Sequence, residues 1–312
     1  MLAFVFPGQG AQSVGMVDAL ASEFPQVRAR FDAASSALGF DLWSLVTKGP
    51  ADALNQTQNT QPALLAASVA TWDAWLASGG EKPTLMAGHS FGEYSALVCA
   101  GALAFEDAVR LVADRGRFMQ EAVPQGAGAM AAVLGLELAV LQEVCAQATQ
   151  PDSAVQCANL NAPGQIVISG AAAAVERAAA GARDAGAKKV IPLTVSVPAH
   201  SALMRPAADR FSQRIAAIPL QPPGIRVLHN VDLASHAEAD KLREVLVAQL
   251  YSPVRWQETI EAFVTAGVTR VVECGPGKVL SPLVKRCAGQ LGIASLTGPA
   301  ELRAALATPE EN

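Results

Sequence analysis

An α/β fold is expected from this sequence: a parallel sheet layered with helices, with a ferredoxin-like unit inserted into it. Three observations predict it. Short apolar runs such as LAFVF (2–6) and TLMAG (84–88) alternate with longer helical patterns, the order that builds parallel sheets. Between residues 126 and 196 the order changes to strand, helix, strand, strand, helix, strand, which is the split βαβ pattern. The 312 residues, 51% of them hydrophobic, suffice for one large domain carrying a smaller one. The chain is therefore divided into a large α/β subdomain, residues 1–125 and 197–312, and a small ferredoxin-like subdomain, residues 126–196.

In order along the chain, LAFVF opens the sheet and PGQGAQSVG (7–15) is a glycine-rich loop behind it. Helical patterns fill 15–37 and then 61–78, the second starting behind Pro62, where proline suits a first turn. TLMAG is a short buried strand, FGEYSALVCAGAL (91–103) a helix packed close to it, and another helix covers 105–121. In the insert, AGAMAAVLG (127–135), AVQCANL (154–160), QIVISG (165–170) and KKVIPLTVSV (188–197) read as strands. ELAVLQEVCAQAT (137–149) and the alanine-rich stretch 171–186 read as its helices. IRVLHNV (225–231), a helix over 237–250 and the strand VTRVVECG (268–275) return to α/β character.

A net charge of −5 argues against nucleic acid as the main ligand, because binding phosphates needs a basic surface. The five cysteines are scattered, with no C-x-x-C, as expected of reduced thiols in a cytoplasmic protein and not of a zinc site. The N-terminal apolar run stops at Pro7, too short for a signal peptide, and no apolar run is long enough to span a membrane.

The stretch GHSFG (88–92) carries the first chemical signal. Ser90 and Glu93 form the S-x-x-E of a capping box, in which the hydroxyl caps the next helix and the glutamate reaches back. The same serine, between a buried strand and a helix with glycine two residues away on each side, also fits a nucleophile elbow of the α/β-hydrolase-like kind. The elbow reading is preferred and leaves Glu93 a structural task. A nucleophilic serine needs a base and an oxyanion hole. The backbone N–H of Phe91, at the helix N-terminus, is one oxyanion donor; that of Gln9, in the loop after the first strand, is a natural second. For the base, His89 adjoins Ser90 and should point elsewhere, and His236 lies in the polar stretch SHAEAD and should be solvated. His200 and His229 both follow strand-like runs, and the residues alone do not separate them.

Periodicity singles out Arg115. On the helix FEDAVRLVADRGRFMQEA, Arg110 has Asp107 and Asp114 three and four residues away, and Arg117 has Asp114 and Glu121. Arg115 has only Leu111, Val112, Phe118 and Met119 at those spacings. A buried guanidinium needs a partner, either a distant carboxylate in a structural ion pair or the carboxylate of a substrate. The stretch ECGPGKVLS (273–281) lacks the spacing of a phosphate-binding loop and reads as a strand-to-helix turn. Lys188–Lys189 and Lys285–Arg286 read as solvated faces.

Across nearly its whole length the sequence resembles the malonyl-CoA:acyl carrier protein transacylases, of the acyltransferase family of fatty acid and polyketide synthesis. The resemblance is carried by FVFPGQGAQSVGM, TQPALLAAS, GHSFGEYSALVCAGAL, RGRFMQ, NAPGQIVISG, VPAHSALMRPAAD, QLYSPVRW and ECGPGKVLSPLVKR, in that order. It implies that Ser90 is acylated and that His200, in VPAH, is the catalytic base. It further implies that the backbone carbonyl of Gln249 orients His200, so that no acidic third member is expected. By the same resemblance Arg115 pairs with the malonyl carboxylate, and Gln9 and Phe91 supply the oxyanion hole. Phe91 stands where leucine is common in the family, which touches local shape and not the N–H. The implied reaction is ping-pong transfer of malonyl from malonyl-CoA to the phosphopantetheine thiol of holo acyl carrier protein, supplying fatty acid synthesis. It needs no metal and no cofactor, and a cytoplasmic monomer with no nucleic-acid or membrane partner is expected. The alternatives are a serine esterase or thioesterase, an acyltransferase of a polyketide pathway, and a non-catalytic docking module for the carrier.

Overall fold

A computed structural model describes residues 1–194 and 197–307. Its larger sheet has five parallel strands: β1 (Leu2–Phe6), β2 (Leu85–Gly88), β7 (Arg226–Leu228), β8 (Arg270–Glu273) and β9 (Gly292–Ser295). They lie in the order β7-β2-β1-β8-β9. β1 is at the centre and buried on both faces, which is why LAFVF has no polar residue. Leu2, Phe4 and Phe6 join one core, where the ring of Phe4 meets Trp72 and Trp75 edge-on. Ala3 and Val5 join the other, with Trp256, Ile260 and Phe263 of the helix Trp256–Thr265. The alternation is the period of two that a strand imposes on its side chains.

The second sheet is antiparallel and comprises β3 (Gly128–Leu134), β4 (Val155–Ala162), β5 (Gln165–Ala171) and β6 (Lys189–Pro192) in the order β4-β5-β3-β6. With the helices Leu138–Ala148 and Ala172–Asp184 packed against it, this is the ferredoxin-like arrangement expected of the insert. The predicted strand over 188–197 is observed only as Lys189–Pro192, and Val195 and Ser196, where the expected boundary between the subdomains falls, lie outside the described residues. β4 does not end as a free edge. Leu160 N donates to Val254 O at 2.8 Å and Val254 N to Ala158 O at 2.9 Å, so a segment of the large subdomain pairs with it.

Several boundaries differ from expectation for identifiable reasons. The helix expected over 15–37 is two, Asp18–Glu23 and Pro25–Leu38, because Pro25 drives Phe24 out of the helical region to φ −119°, ψ 97° and then starts the second. The helix expected behind Pro62 begins earlier and runs Thr57–Ala77. Pro62 removes one hydrogen bond near its start, and nearly complete burial of the first half of the helix outweighs that loss. The helix after β2 is Gly92–Cys99, stopped by Gly101 at φ 76°. The short helices Leu42–Lys48 and Ala51–Leu54, the helices Arg205–Ala216, Trp256–Thr265 and Pro299–Ala307, and the strand β9 were not among the expected elements, although Ala207, Phe211 and Ile215 and likewise Trp256, Ile260 and Phe263 recur at helical spacing.

Candidate active site

The carboxyl ends of β1 and β2 are adjacent, with Phe6 paired to Gly88, so the loops holding Gln9 and Ser90 leave the sheet side by side. The turn after β2 is as tight as its glycines imply. A Cβ on Gly88 would lie 1.9 Å from the carbonyl carbon of Gly92, and one on Gly92 would lie 2.3 Å from Phe6 O. Ser90 itself has φ 54°, the left-handed region that a non-glycine residue seldom occupies. This is a strand–turn–helix elbow with a strained serine at its tip.

The capping box is not formed. Ser90 N donates to Asn230 Oδ1 at 2.9 Å, and Asn230 Nδ2 donates to Gly88 O at 2.8 Å, so an asparagine after β7 clamps the elbow. The Glu93 carboxylate, fully buried, turns away from the Ser90 amide. It accepts from His229 Nδ1 at 2.5 Å, Gln249 Nε2 at 2.9 Å and Asn230 N at 3.1 Å. That contact fixes His229, one of the two histidines left open, in a buried pair with Glu93.

His200 is the histidine beside the serine: Ser90 Oγ and His200 Nε2 are 2.7 Å apart. On its other side Nδ1 faces two carbonyl oxygens, Gln249 O at 2.8 Å and Ser252 O at 3.2 Å. Carbonyls only accept, so Nδ1 carries the proton and Nε2 presents a lone pair to the serine hydroxyl. Burial and then the nearby Arg115 charge lower the His200 pKa to about 3 against the opposing pull of the Gln249 carbonyl. His200 also has a left-handed backbone, φ 59°, and its N–H is held by Leu250 O. The two remaining histidines lie elsewhere. His89 bonds Asn161 Oδ1 at 2.8 Å and meets Trp256 edge-on. His236 is not simply solvated as expected: its ring bonds Asp232 at 2.7 Å and stacks on His229.

Arg115 is buried to 1% exposure, as its four apolar helical neighbours implied. Neither arm is held by a carboxylate. Nη1 donates to Gln61 Oε1 and Nη2 to Gln249 Oε1, each at 3.0 Å, and the guanidinium lies over the Tyr94 ring. Burial lowers its pKa from the ordinary arginine value. Two neutral amides orient the cation without neutralising it. Gly116 permits the close packing this needs, since a Cβ there would sit 2.6 Å from Thr57 O. On the solvent side of the same helix, Arg110 bonds Asp107 and Arg117 bonds Asp114, as spaced. The expected Arg110–Asp114 pair is replaced by Arg214–Asp114, supplied by the helix Arg205–Ala216.

Gln9 lies beside the elbow because Gly8 has no side chain; a Cβ on Gly8 would be 2.7 Å from His89 O. Its own side chain bonds Thr57 Oγ1 at 3.3 Å, leaving the backbone as the part available to a reaction centre. Phe91 is buried and stands at the N-terminus of the helix Gly92–Cys99. The ECGPGKVLS stretch is a strand-to-helix turn: the Glu273 carboxylate caps the next helix by accepting from Val279, Leu280 and Ser281 N–H groups at 2.8–2.9 Å. Lys188, Lys189, Lys285 and Arg286 are exposed. Among the described residues no cluster suited to a metal ion is found, and no helix is long and apolar enough to cross a membrane.

Sequence reasoning missed Gln61 and Asn230. Gln61 had one weak signal, a polar residue directly before the apolar run 62–67, which must find a partner when buried. Asn230 had none beyond its place next to a strand.

A serine hydroxyl in contact with a neutral imidazole, on an elbow beside a helix N-terminus, is an arrangement able to carry acyl transfer. The chain belongs to the acyl transferase family, whose acyl transferase domain matches residues 3–297. It is an enzyme of the acyltransferase class. It is 52% identical to the malonyl CoA-acyl carrier protein transacylase of Salmonella typhimurium over 97% of this chain and 98% of that one. With the transacylase of the same name from Bacillus subtilis it shares 46% identity, over 99% and 98% of the two chains. The structure of the malonyl CoA-acyl carrier protein transacylase from Coxiella burnetii superposes with a TM-score of 0.96 at 51% identity, covering 97% of this chain and 96% of that one. A malonyl-transacylase solved in complex with a type II PKS acyl-carrier protein gives 0.96 at 50% identity, covering 98% of each chain.

Proposed function

We propose that this enzyme transfers malonyl from malonyl-CoA to the phosphopantetheine thiol of holo acyl carrier protein, through a malonyl ester on Ser90, for fatty acid synthesis. The 2.7 Å contact between Ser90 Oγ and a neutral His200 carries the reading. The names of relatives at about half identity over the full length support the substrate and the acceptor.

In the first half-reaction His200 Nε2 takes the Ser90 proton as Oγ attacks the thioester carbonyl. The N–H groups of Gln9 and Phe91 stabilise the oxyanion, each loss costing roughly 3–4 kcal/mol of activation free energy. The tetrahedral intermediate collapses, and the CoA sulfur leaves with the proton from Nε2. In the second half the carrier thiol gives its proton to Nε2 and attacks the ester carbonyl, and Ser90 leaves with that proton. The Gln249 carbonyl keeps the proton of His200 on Nδ1 throughout. Arg115, oriented and not neutralised, binds the free carboxylate of the malonyl group in a two-pronged contact. None of these steps uses a metal or a redox cofactor. A carbonyl in place of an acid behind His200 supports transfer over the esterase alternative. Five free cysteines support a cytoplasmic enzyme, and we take it to act as a monomer without nucleic-acid or membrane partners.

The test is intact-mass spectrometry after mixing with malonyl-CoA. One malonyl adduct is expected, released on adding holo carrier protein and missing from Ser90→Ala. An adduct that survives in Ser90→Ala would overturn the assignment of the nucleophile.

A further inference from the structure

We propose that Glu93 is a positioning residue for acyl-group selectivity, acting by fixing which way the side-chain amide of Gln249 faces; the proposal rests on the malonyl-transfer reading above. The Gln249 Nε2 group lies 3.0 Å from Ser90 O and 2.9 Å from Glu93 Oε2. Both of these atoms only accept, so the amide nitrogen must face them. The amide oxygen is thereby turned the other way, where it receives Arg115 Nη2 at 3.0 Å. Flipping the amide would place an NH₂ group against a guanidinium and a carbonyl against a carboxylate, two repulsive contacts in a buried site.

Glu93 thus reaches Arg115 through one intermediary. It reaches the nucleophile through another, because Asn230 N donates to the same carboxylate while the Asn230 side chain clamps Ser90 N and Gly88 O. The two branches overlap at the elbow, because Gln249 Nε2 also donates to Ser90 O, and every acyl group uses the elbow. They differ at the far end: only the Gln249 branch reaches Arg115, which only an acyl group with a free carboxylate uses, so the malonyl-to-acetyl ratio isolates it.

The proposal holds that reach, not charge, is what Glu93 supplies to Gln249. Glu93→Gln keeps an acceptor oxygen at the position of Oε2. Its new NH₂ group then faces His229 Nδ1, which becomes an acceptor if the imidazole proton moves to Nε2, an atom with no hydrogen-bond partner in the structure. Glu93→Asp keeps the charge but draws the carboxylate back by one methylene, out of hydrogen-bond range of Gln249.

The experiment measures kcat/KM of wild type, Glu93→Gln, Glu93→Asp and Asn230→Ala with malonyl-CoA and acetyl-CoA, using purified holo carrier protein as acceptor, with circular dichroism to establish folding. In Glu93→Asp the malonyl-to-acetyl ratio is expected to fall about tenfold, the effect of one charge-assisted hydrogen bond on Arg115. Glu93→Gln is expected to hold the ratio within about twofold, and Asn230→Ala to lower both substrates alike. A ratio that falls in Gln and holds in Asp would overturn the proposal in favour of charge; a ratio unchanged in both would reduce Glu93 to scaffold. Should the aspartate variant fail to fold, a fall in the glutamine variant beyond about twofold overturns the proposal by itself. A wild type with no preference for malonyl would instead defeat the proposed function, and this inference with it.

Discussion

His200 Nδ1 lies 2.8 Å from the carbonyl oxygen of Gln249, so the imidazole at this site is oriented by a neutral dipole. A carbonyl selects the tautomer as well as a carboxylate does but contributes less to stabilising an imidazolium. Burial and the positive charge of Arg115 therefore prevail, and His200 stays neutral far below the ordinary histidine value of 6.5.

The pH dependence follows from that sign. A base whose pKa is lowered keeps its lone pair as the medium becomes acidic, so kcat/KM should not fall through pH 6.5. It is expected to stay level from about pH 8 to about pH 5. Arg115→Met removes a charge that disfavours protonation of His200, so the acid limb should move up in pH. Stopped-flow acetyl transfer across this range measures both, and a limb at the ordinary histidine value in wild type would contradict the assignment.

If Arg115 binds the malonyl carboxylate as proposed, Arg115→Ala should lower malonyl transfer by at least about a hundredfold relative to acetyl transfer, because that buried ion pair would be lost. Arg115→Lys should not restore the ratio. A single ammonium cannot be held by Gln61 and Gln249 on two separate arms while facing a carboxylate with both prongs. Competition between the two thioesters, read by mass spectrometry of the carrier protein, gives the ratio directly.

Gly88→Ala tests the elbow as a fold element. Its Cβ would lie 1.9 Å from the carbonyl carbon of Gly92 and 2.0 Å from Glu93 N, backbone atoms that have no rotamer to move aside. A loss of roughly 3 kcal/mol or more is expected in urea unfolding. A variant within about 0.5 kcal/mol of wild type would show that the turn can open.

What the sequence made legible at this site is local in the chain. The elbow is complete within five residues, and the apolar face around Arg115 lies within one helix, so spacing alone pointed to both. The groups that hold them come from far away: Gln61 is 54 residues from Arg115, and Asn230 is 140 from Ser90. Such pairings follow from the order of strands in the sheet, which periodicity does not encode. The choice of His200 over His229 was of the same kind. Both follow apolar runs, so spacing did not separate them; the family resemblance of VPAH pointed to His200, and the fold sets His200 against Ser90 and His229 against Glu93. In the fold itself, most strands and the helices Thr57–Ala77 and Phe105–Ala122 were legible from their apolar runs and periods, whereas Pro25 and Pro62 had opposite effects: exposed Pro25 splits a helix, and buried Pro62 is carried within one.

The docking of β4 has a consequence for how acyl groups enter. Besides the backbone pairing at Val254, Gln156 on β4 donates to His200 O at 3.1 Å and accepts from Ala202 N at 3.1 Å, and Asn161 at its end bonds His89. The inserted sheet is therefore stitched to His200, which faces the Ser90 hydroxyl, and to His89, its neighbour in the chain, and a hinge at this seam would have to part His200 from Ser90. Under the proposed function that seam favours a fixed slot over a jaw, into which each thioester partner in turn would thread a slender pantetheine arm while its bulk stays outside.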